Sequence, residues 1–320
     1  MTRTLVVPLD GSPLAERALP YALSLAAAQQ SRVVLLRVAL ANAPMTIDGS
    51  DWERDQLDAI AEAERYLETV SEGLPAGVEV ATEVPYGPAA RQILAALRRL
   101  HADGVVMATH GRTGLAHLLH GSVAEAILAG SHVPVFLVHA QPAHAQPIPF
   151  DASALRVLVP LDGSALTETA IPIAIDYLTP QTGGSLLQAT AVTEPNPVQY
   201  DEHGGVLAYL DQQEEALTRG ARDYLDEAAR RLHHTAPRLS VSTDVRIGLA
   251  DEVIASLANA HQANLIVMAT HARTGLQRAR LGSVAGAVLR ATNTPVVLVH
   301  PQAQEPGAAT AYATSGIERS

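Results

Sequence analysis

Apolar and polar residues alternate along this chain in a pattern that predicts strands and helices in turn. Runs that are apolar throughout, such as 5–9 and 104–108, are typical of strands buried on both faces of a parallel sheet. Longer segments with apolar positions three to four residues apart predict amphipathic helices between them. For the first half the pattern predicts strands over 3–9, 32–38, 78–84, 104–108 and 133–139, and helices over 13–29, 52–71, 89–101 and 123–130.

The second half repeats this pattern. The segment around His110 returns almost unchanged around His271, and the Gly-Ser-Val-Ala that follows returns at the same offset. Such a constant offset indicates a duplicated domain. A proline, Pro20 or Pro172, interrupts the first predicted helix of each half, where it would kink a helix interior. The predicted strands are 156–161, 186–192, 239–245, 264–269 and 295–300, and the predicted helices are 165–178, 208–232, 250–261 and 284–290.

Strands that alternate with helices of this length predict right-handed βαβ units. The expected fold class is therefore α/β, with two tandem doubly wound domains. Each has a five-stranded parallel sheet, order 3-2-1-4-5, with helices on both faces. We expect domain 1 over residues 1–140, a proline-rich linker over 141–153, domain 2 over 154–301 and a flexible tail over 302–320. Loops after the second strands, 39–51 and 193–205, suit either lids or plain connections.

Composition excludes several kinds of chemistry. The net charge of −11 argues against nucleic-acid and anionic-membrane partners. The chain has no cysteine, and all 22 of its cations are arginine, so thiolate chemistry, a P-loop lysine and Schiff bases are excluded. We find no metal-ligand spacing, no apolar run of the ~20 residues that span a membrane, and no signal peptide before the first strand. A cytoplasmic location is expected.

The first candidate motif is a strand followed by Asp-Gly-Ser, at Asp10 and again at Asp162. Glycine suits the turn, and the serines, Ser12 and Ser164, suit the N-caps of the following helices. The aspartate has no comparable local role that we can identify. Its carboxylate could therefore accept hydrogen bonds from a ribose hydroxyl or an exocyclic amine.

The second candidate motif is the loop after the fourth strand. Gly111 and Gly121 allow backbone N–H groups to approach an anion, and Gly121-Ser122 opens a helix whose N-terminus attracts negative charge. Ser122 with Glu125 also reads as a capping box, which explains the serine without any ligand. The second half has Gly286 where that glutamate would stand, so capping alone does not explain both copies.

Histidine and arginine also recur in this loop. Arg112 and Arg273 suit phosphate contacts, because a guanidinium matches phosphate oxygens and nothing local requires a cation there. His110 and His271 could serve as a general base, although loop histidines more often contact backbone or solvent. In a doubly wound sheet, ligands bind where the first and fourth strands part. The aspartate and this loop would then face one crevice that fits a nucleotide.

These motifs resemble those of the universal stress protein family, and the chain resembles a tandem member of it over nearly its whole length. The nucleotide-binding branch of that family has the pattern Gly-x2-Gly-x9-Gly-Ser/Thr at the end of its fourth strand. The matching residues here are Ala108, Gly111, Gly121 and Ser122, then Ala269, Ala272, Gly282 and Ser283. The first half departs from the pattern at one glycine and the second half at two, which favours domain 1 over domain 2 for binding.

The resemblance implies ATP, with Mg²⁺ held through its phosphates, in each domain. It implies that Asp10 and Val38 contact ribose and adenine, with Asp162 and Val192 as counterparts, while backbone at Met107, Gly111, Ser122 and Val123 holds phosphates. It also implies pairing through the last strands, 134–139 and 295–300, within one chain or in a homodimer. The candidate binding residues are Pro8, Leu9, Asp10, Gly11, Ser12, Val38, Met107, Ala108, His110, Gly111, Arg112, Gly121, Ser122, Val123, Ala124, Pro160, Asp162, Ser164, Val192, Met268, Ala269, His271, Arg273, Gly282, Ser283 and Val284.

Three functions follow from these observations. The first is a stress-response or signalling module that binds adenine nucleotide without robust catalysis. The second is a domain pair that has lost nucleotide and acts by association, which the alanines at 108, 269 and 272 favour. The third is a slow ATP hydrolase. The chain lacks the Ser-Gly-Gly phosphate loop that related hydrolases carry after the first strand, so this reading has the least support.

Overall fold

Strands and helices alternate through the first half of the chain, as the hydrophobic pattern predicts. The computed structural model describes residues 2–40, 50–110, 122–140, 150–178, 184–192, 199–200, 206–208, 210–270 and 282–300. The elements of the first half are β1 (Thr4–Pro8), α1 (Leu19–Gln29), β2 (Arg32–Leu36), α2 (Ser50–Glu72), β3 (Val80–Glu83), α3 (Ala89–Arg99), β4 (Gly104–His110), α4 (Ser122–Gly130) and β5 (Val135–Ala140).

The second half follows the same order with one addition. A small antiparallel pair joins β8 (Gln199–Tyr200), in the stretch 193–205 that we expected to be a lid or a plain connection, to β9 (Val206–Ala208), directly after it. The rest of 193–205 lies outside the described residues. The elements are β6 (Arg156–Pro160), α5 (Ala165–Glu168), α6 (Ala170–Tyr177), β7 (Ser185–Val192), β8 (Gln199–Tyr200), β9 (Val206–Ala208), α7 (Leu210–Thr235), β10 (Ser240–Ile247), α8 (Ala250–Ala260), β11 (Leu265–Ala269), α9 (Ser283–Ala291) and β12 (Val296–Val299).

The predicted fold class is confirmed. The strand order is β3-β2-β1-β4-β5 in the first half and β10-β7-β6-β11-β12 in the second. Without the β8–β9 pair, each is the order 3-2-1-4-5. The first strand of each half lies between the second and the fourth, with parallel pairing on both sides. The order reverses there, so a crevice is expected at the carboxyl ends of β1 and β4.

The two sheets join into one sheet of ten strands. β5 and β12 run antiparallel, with Val297 opposite Phe136. All the other neighbours in this sheet are parallel. Alternate residues of each strand point to opposite faces, so Val6 enters one apolar layer while Leu5 and Val7 enter the other. Each layer contains residues from both halves, and the halves therefore share their cores.

The first helix of each half differs from the prediction. A 3-10 turn (Ala15–Ala18) precedes α1, and the second half divides the equivalent stretch into α5 and α6. Pro20 and Pro172 consequently lie in the first turn of α1 and α6, not in a helix interior. The first N–H groups of a helix have no intrahelical partner, so a proline there removes no hydrogen bond. The expected kink is replaced by a new helix start.

The end of the predicted linker packs against the first half. Residues 141–149 and the predicted tail lie outside the described ranges. Phe150 contacts the ring of Tyr21, with 5.0 Å between centroids, and the N–H of the buried Ala152 donates to Ser24 Oγ at 3.0 Å. Residues 150–152 are thus part of the packed structure. The domain limits themselves remain a prediction.

Candidate functional site

A cavity of about 420 Å³ opens at the carboxyl ends of the strands in the first half. Such a volume is typical of sites for small ligands. Its wall combines the turn after β1, the end of β2, the end of β4 and residues of α2, α3 and α4. The predicted residues that line it are Pro8, Leu9, Asp10, Ser12, Val38, Met107, Ala108, Val123 and Ala124. The structure therefore brings the aspartate and the end of the fourth strand to one cavity.

The turn after β1 holds Asp10 by local hydrogen bonds. Gly11 has a φ of +85°, a conformation that side chains with a Cβ rarely adopt. Oδ1 of Asp10 accepts from the Ser12 N–H at 2.9 Å, and Ser12 Oγ accepts from the Ala15 N–H at 3.1 Å. Asp10 thus has a local role that we did not predict. Its second carboxylate oxygen has no hydrogen-bond partner among the described residues.

The end of β2 forms the next part of the wall. The N–H of Leu9 donates to the Leu36 carbonyl at 2.8 Å, which keeps the two strand ends level. Val38 follows and lines the cavity, while Ala39 accepts from the N–H of Gly87 at 3.0 Å. The backbone beside Val38 is therefore fixed by both neighbouring strands.

The end of β4 and the start of α4 form the opposite wall. Ala108 pairs with Val138 in the strand, and it is not among the described residues with positive φ. An alanine in place of the family glycine is therefore unstrained at this position. Ser122 is exposed at the start of α4, where unpaired N–H groups attract anions. The side chain of His110 and all of Gly111, Arg112 and Gly121 lie outside what the structure describes.

The corresponding turn of the second half holds its aspartate more tightly. Oδ1 of Asp162 accepts from the Ser164 N–H at 2.9 Å and also from Thr167 Oγ1 at 2.7 Å. Burial raises the pKa of Asp162, but the hydrogen bonds from Ser164 and Thr167 outweigh it and leave the pKa below its usual value. Ala15 stands at the place of Thr167 in the first half. Within the part of the chain that the structure describes, the Asp10 carboxylate therefore has one donor fewer.

The register of the second half corrects one equivalence. β1 pairs Pro8 with Leu36, whereas β6 pairs Pro160 with Ala189. Counting on from these pairs, Ala191 and not Val192 stands at the position of Val38. The connection before β7 is one residue longer than its counterpart before β2, which shifts the alignment by one. Val192 matches Ala39 instead.

The remaining candidates of the second half lie along β11 and α9. Met268 and Ala269 are buried in β11, and Gly282 donates through its N–H to Thr270 Oγ1 at 3.4 Å. Ser283 begins α9, and the Val284 side chain is exposed. His271 and Arg273 lie outside the described residues, as does Ala272.

Sequence reasoning missed Arg37, which lines the first-half cavity directly after β2. Its Nη2 donates to Glu62 Oε1 at 3.0 Å, and its Cζ lies 4.5 Å from the ring centre of Tyr66. Both partners are on α2, four residues apart, and so lie on one helix face. The contacts join residues 25 to 29 positions apart in the chain, so no local sequence motif predicts them.

Tyr66 is itself tied to the turn region. Its hydroxyl donates to Glu16 Oε1 at 2.8 Å, and the second half repeats the bond from Tyr224 to Glu168 at 3.0 Å. Burial and these hydrogen bonds raise the pKa of both phenols, so they remain neutral donors. The Tyr–Glu bond thus docks the long helix on the first turn in both halves.

The described residues show neither a metal-binding cluster nor a membrane-spanning helix. They contain no group of three or more His, Cys, Asp or Glu side chains placed to hold a metal ion. None of their helices combines the length and apolar character that crossing a membrane requires.

Fold and cavity together define a class of protein: a tandem pair of doubly wound α/β domains with a ligand-sized cavity at the switch point of the first. The model of the universal stress protein family matches this chain twice, over residues 1–139 and 154–300. The chain belongs to the universal stress protein family.

Individual proteins that are similar to this chain are universal stress proteins as well. A universal stress protein of Mycobacterium tuberculosis is 32% identical over 62% of this chain, a match that spans only 61% of that relative. Another, from Mycobacterium bovis, is 26% identical over 92% of this chain and 94% of its own length. The crystal structure of a universal stress protein from Archaeoglobus fulgidus is similar with a TM-score of 0.69 and 19% identity, covering 93% of this chain and 98% of that one. That likeness concerns the fold alone.

Proposed function

We propose that the protein is a cytoplasmic stress-response or signalling module that binds ATP in the first-half cavity, with Mg²⁺ held through the phosphates. One observation carries the proposal: a carboxylate with one oxygen that has no partner among the described residues, the backbone end of β2 and the start of α4 surround a cavity of about 420 Å³. Ribose hydroxyls would bond Asp10, adenine would lie beside Val38, and phosphates would approach the N-terminus of α4. Occupancy would bias a conformation or a partner surface, with no catalytic step.

The proposal assigns tighter binding to the first half than to the second. Thr167 already donates to Asp162, so a ribose hydroxyl would have to compete with it, whereas no described side chain donates to Asp10. The first half also keeps Gly111 where the second has Ala272. If that position needs positive φ, alanine costs about 1–2 kcal/mol.

A matched pair of substitutions tests the assignment. Calorimetry of the full-length protein with Mg-ATP should show that Asp10→Asn weakens the tighter site about tenfold or more, because charge-assisted hydrogen bonds to the carboxylate are lost. Asp162→Asn, made at the equivalent position, should leave that site within about twofold of the wild type.

Two results would contradict the proposal. Wild-type protein that gives no heat and no thermal shift with Mg-ATP would end it. A tighter site that responds to Asp162→Asn, and not to Asp10→Asn, would retain nucleotide binding but reverse the assignment of the halves.

A second function, association of the two halves, is favoured by a separate observation. β5 pairs with β12, and the last strands are thereby occupied within one chain. We propose that the second half acts chiefly as a built-in partner of the first, in place of the second copy that a homodimer would supply.

A further inference from the structure

Arg37 lies over the turn that carries Asp10. A Cβ built on Gly11 would be 3.3 Å from Cζ of Arg37, so the guanidinium covers the turn at close range. The side chain lines the cavity and is only 19% exposed. Gly11 thus supplies the positive φ of the turn, and a side chain at this position would also come into tight contact with the guanidinium.

Two contacts with α2 hold the guanidinium in place. The ring of Tyr66 lies 4.5 Å from Cζ, and the Glu62 carboxylate accepts from Nη2 at 3.0 Å. An aromatic face and a carboxylate together restrict a side chain that would otherwise move freely. The cation is thus positioned before any ligand arrives.

The fold does not require this arrangement, because the second half lacks it. By strand register Thr190 stands at the place of Arg37, and its hydroxyl donates to the Leu161 carbonyl at 2.8 Å. Aligning Tyr224 with Tyr66 puts Gly220 at the place of Glu62. A Cβ on Gly163 would meet nothing within 4 Å. The second half keeps the Tyr–Glu bond and the same turn, with a threonine at the place of the cation.

The charges leave Arg37 available to an anion. Among the described residues that line the cavity it is the only cation, beside the acidic Asp10 and Glu62. Within the described chain its side chain makes one hydrogen bond, through Nη2, which leaves its other N–H donors free. The Glu62 side chain is 66% exposed, so this ion pair adds little to stability and an anionic ligand can replace Glu62 on the guanidinium.

The position of Arg37 suggests which anionic group of a ligand it would bind. β1 lies between β2 and β4, so the ends of β2 and β4 are about 10 Å apart, two strand spacings. Phosphates at α4 would occupy the β4 side, whereas Arg37 is on the β2 side, next to the ribose contact. In dinucleotide-binding proteins an arginine near the ribose accommodates a phosphate on that sugar.

We propose that Arg37 makes the first-half site selective for adenine nucleotides that carry a phosphate on the ribose. This rests on the proposed binding of adenine nucleotide in that cavity. The ribose phosphate replaces Glu62 on the guanidinium, which can bind phosphate through two parallel N–H bonds. The other ribose hydroxyl stays with Asp10, and Arg37 offsets the repulsion between the phosphate and that carboxylate.

Three ligands that differ only at the ribose test the proposal: AMP, adenosine 2′,5′-bisphosphate and adenosine 3′,5′-bisphosphate. Calorimetry on the full-length protein should show one bisphosphate binding about tenfold or more tightly than AMP. The tighter isomer identifies the hydroxyl that faces Arg37. Arg37→Thr, which installs the residue of the second half, should abolish the preference, so that AMP and both bisphosphates bind within about twofold of one another.

Two further variants test whether the charge at position 37 is responsible for the preference. Arg37→Gln keeps the length of the side chain without its charge and should behave like Arg37→Thr. Arg65→Thr removes an exposed cation of α2 whose one described hydrogen bond is to the Ala61 carbonyl, and it should keep the preference. Equal affinities for AMP and both bisphosphates in the wild type would overturn the inference and leave nucleotide binding intact. Absence of binding by all adenine nucleotides would instead overturn the proposed function, and the inference with it.

Discussion

At the scale of single residues, Gln188 is the most unusual side chain in the core. It lies in β7 with 0% exposure, and neither its amide oxygen nor its amide nitrogen has a hydrogen-bond partner in the described chain. By register its counterpart in the first half is Leu35, which is equally buried in the apolar layer. A buried polar group without a partner costs about 1–3 kcal/mol.

Gln188→Leu should therefore stabilise the protein by about 1–3 kcal/mol, because it removes that cost at nearly constant volume. Denaturant unfolding followed by circular dichroism measures the change. The reverse substitution at the matched site, Leu35→Gln, should destabilise it. If Gln188→Leu lowers the stability instead, the amide has a partner, such as a buried water, that stabilises the second half.

His139, near the end of β5, predicts a dependence of stability on pH. It is buried, its Nε2 has no partner among the described residues, and burial lowers its pKa to about 4. Because the folded pKa lies below the unfolded value, the unfolded chain binds the proton first as the pH falls. The stability that His139 contributes should be complete above about pH 6.5 and decline by about 3 kcal/mol down to pH 4.

Unfolding free energies of the wild type and of His139→Leu between pH 7.5 and pH 4.5 check this. The wild type should lose more stability over the window than the variant. His300, whose pKa burial also lowers, adds a slope that both proteins share. His234→Gln, at an exposed position on α7, serves as the control and should follow the wild type. Parallel curves for His139→Leu and the wild type would show that this histidine does not titrate with folding.

At the scale of elements, the strands were predictable and their exact alignment was not. Fully apolar runs and helical periodicity identify the order of the strands of the large sheet and of the helices between them, but not the β8–β9 pair. The Asp-Gly-Ser turns follow from local chemistry. The split of the first helix also had a local signal in Pro20 and Pro172, which mark helix starts as readily as kinks. The one-residue shift before β7 had no such signal in the sequence, because the apolar residues of this strand fit either register.

The candidate site was also predictable only in part, because some of its residues meet through strand topology and others through the packing of a helix. Asp10, Val38 and Met107 belong to strand ends that topology brings together, so their meeting at one cavity follows from the order of strands. Arg37 depends on α2, and its partners are set by how that helix docks. Tertiary packing of this kind has no periodic signature in the sequence.

At the scale of the whole molecule, aromatic rings join the two halves. Phe136 of β5 lies 6.3 Å from Tyr21 of α1, 5.8 Å from Phe150 and 6.2 Å from Tyr177 of α6, measured between ring centroids. The chain contains two phenylalanines, and both are in this cluster. Arg3 adds a bond to the Asp176 carbonyl at 3.4 Å. The contact between the halves, called the seam below, thus consists of the antiparallel pair β5–β12 and this cluster of aromatic rings. It predicts that the halves unfold as one unit.

Phe136→Ala should make the two halves unfold separately, because it removes a fully buried ring that contacts both halves. We expect a loss of about 3–5 kcal/mol. The single tryptophan, Trp52, is on α2, so its fluorescence reports the first half, while circular dichroism reports both. The two denaturation curves should coincide in the wild type and separate in Phe136→Ala. Leu57→Ala, on the exposed face of α2, should leave them coincident. Curves that already differ in the wild type would mean that the halves are independent domains and that the seam couples them too weakly to matter.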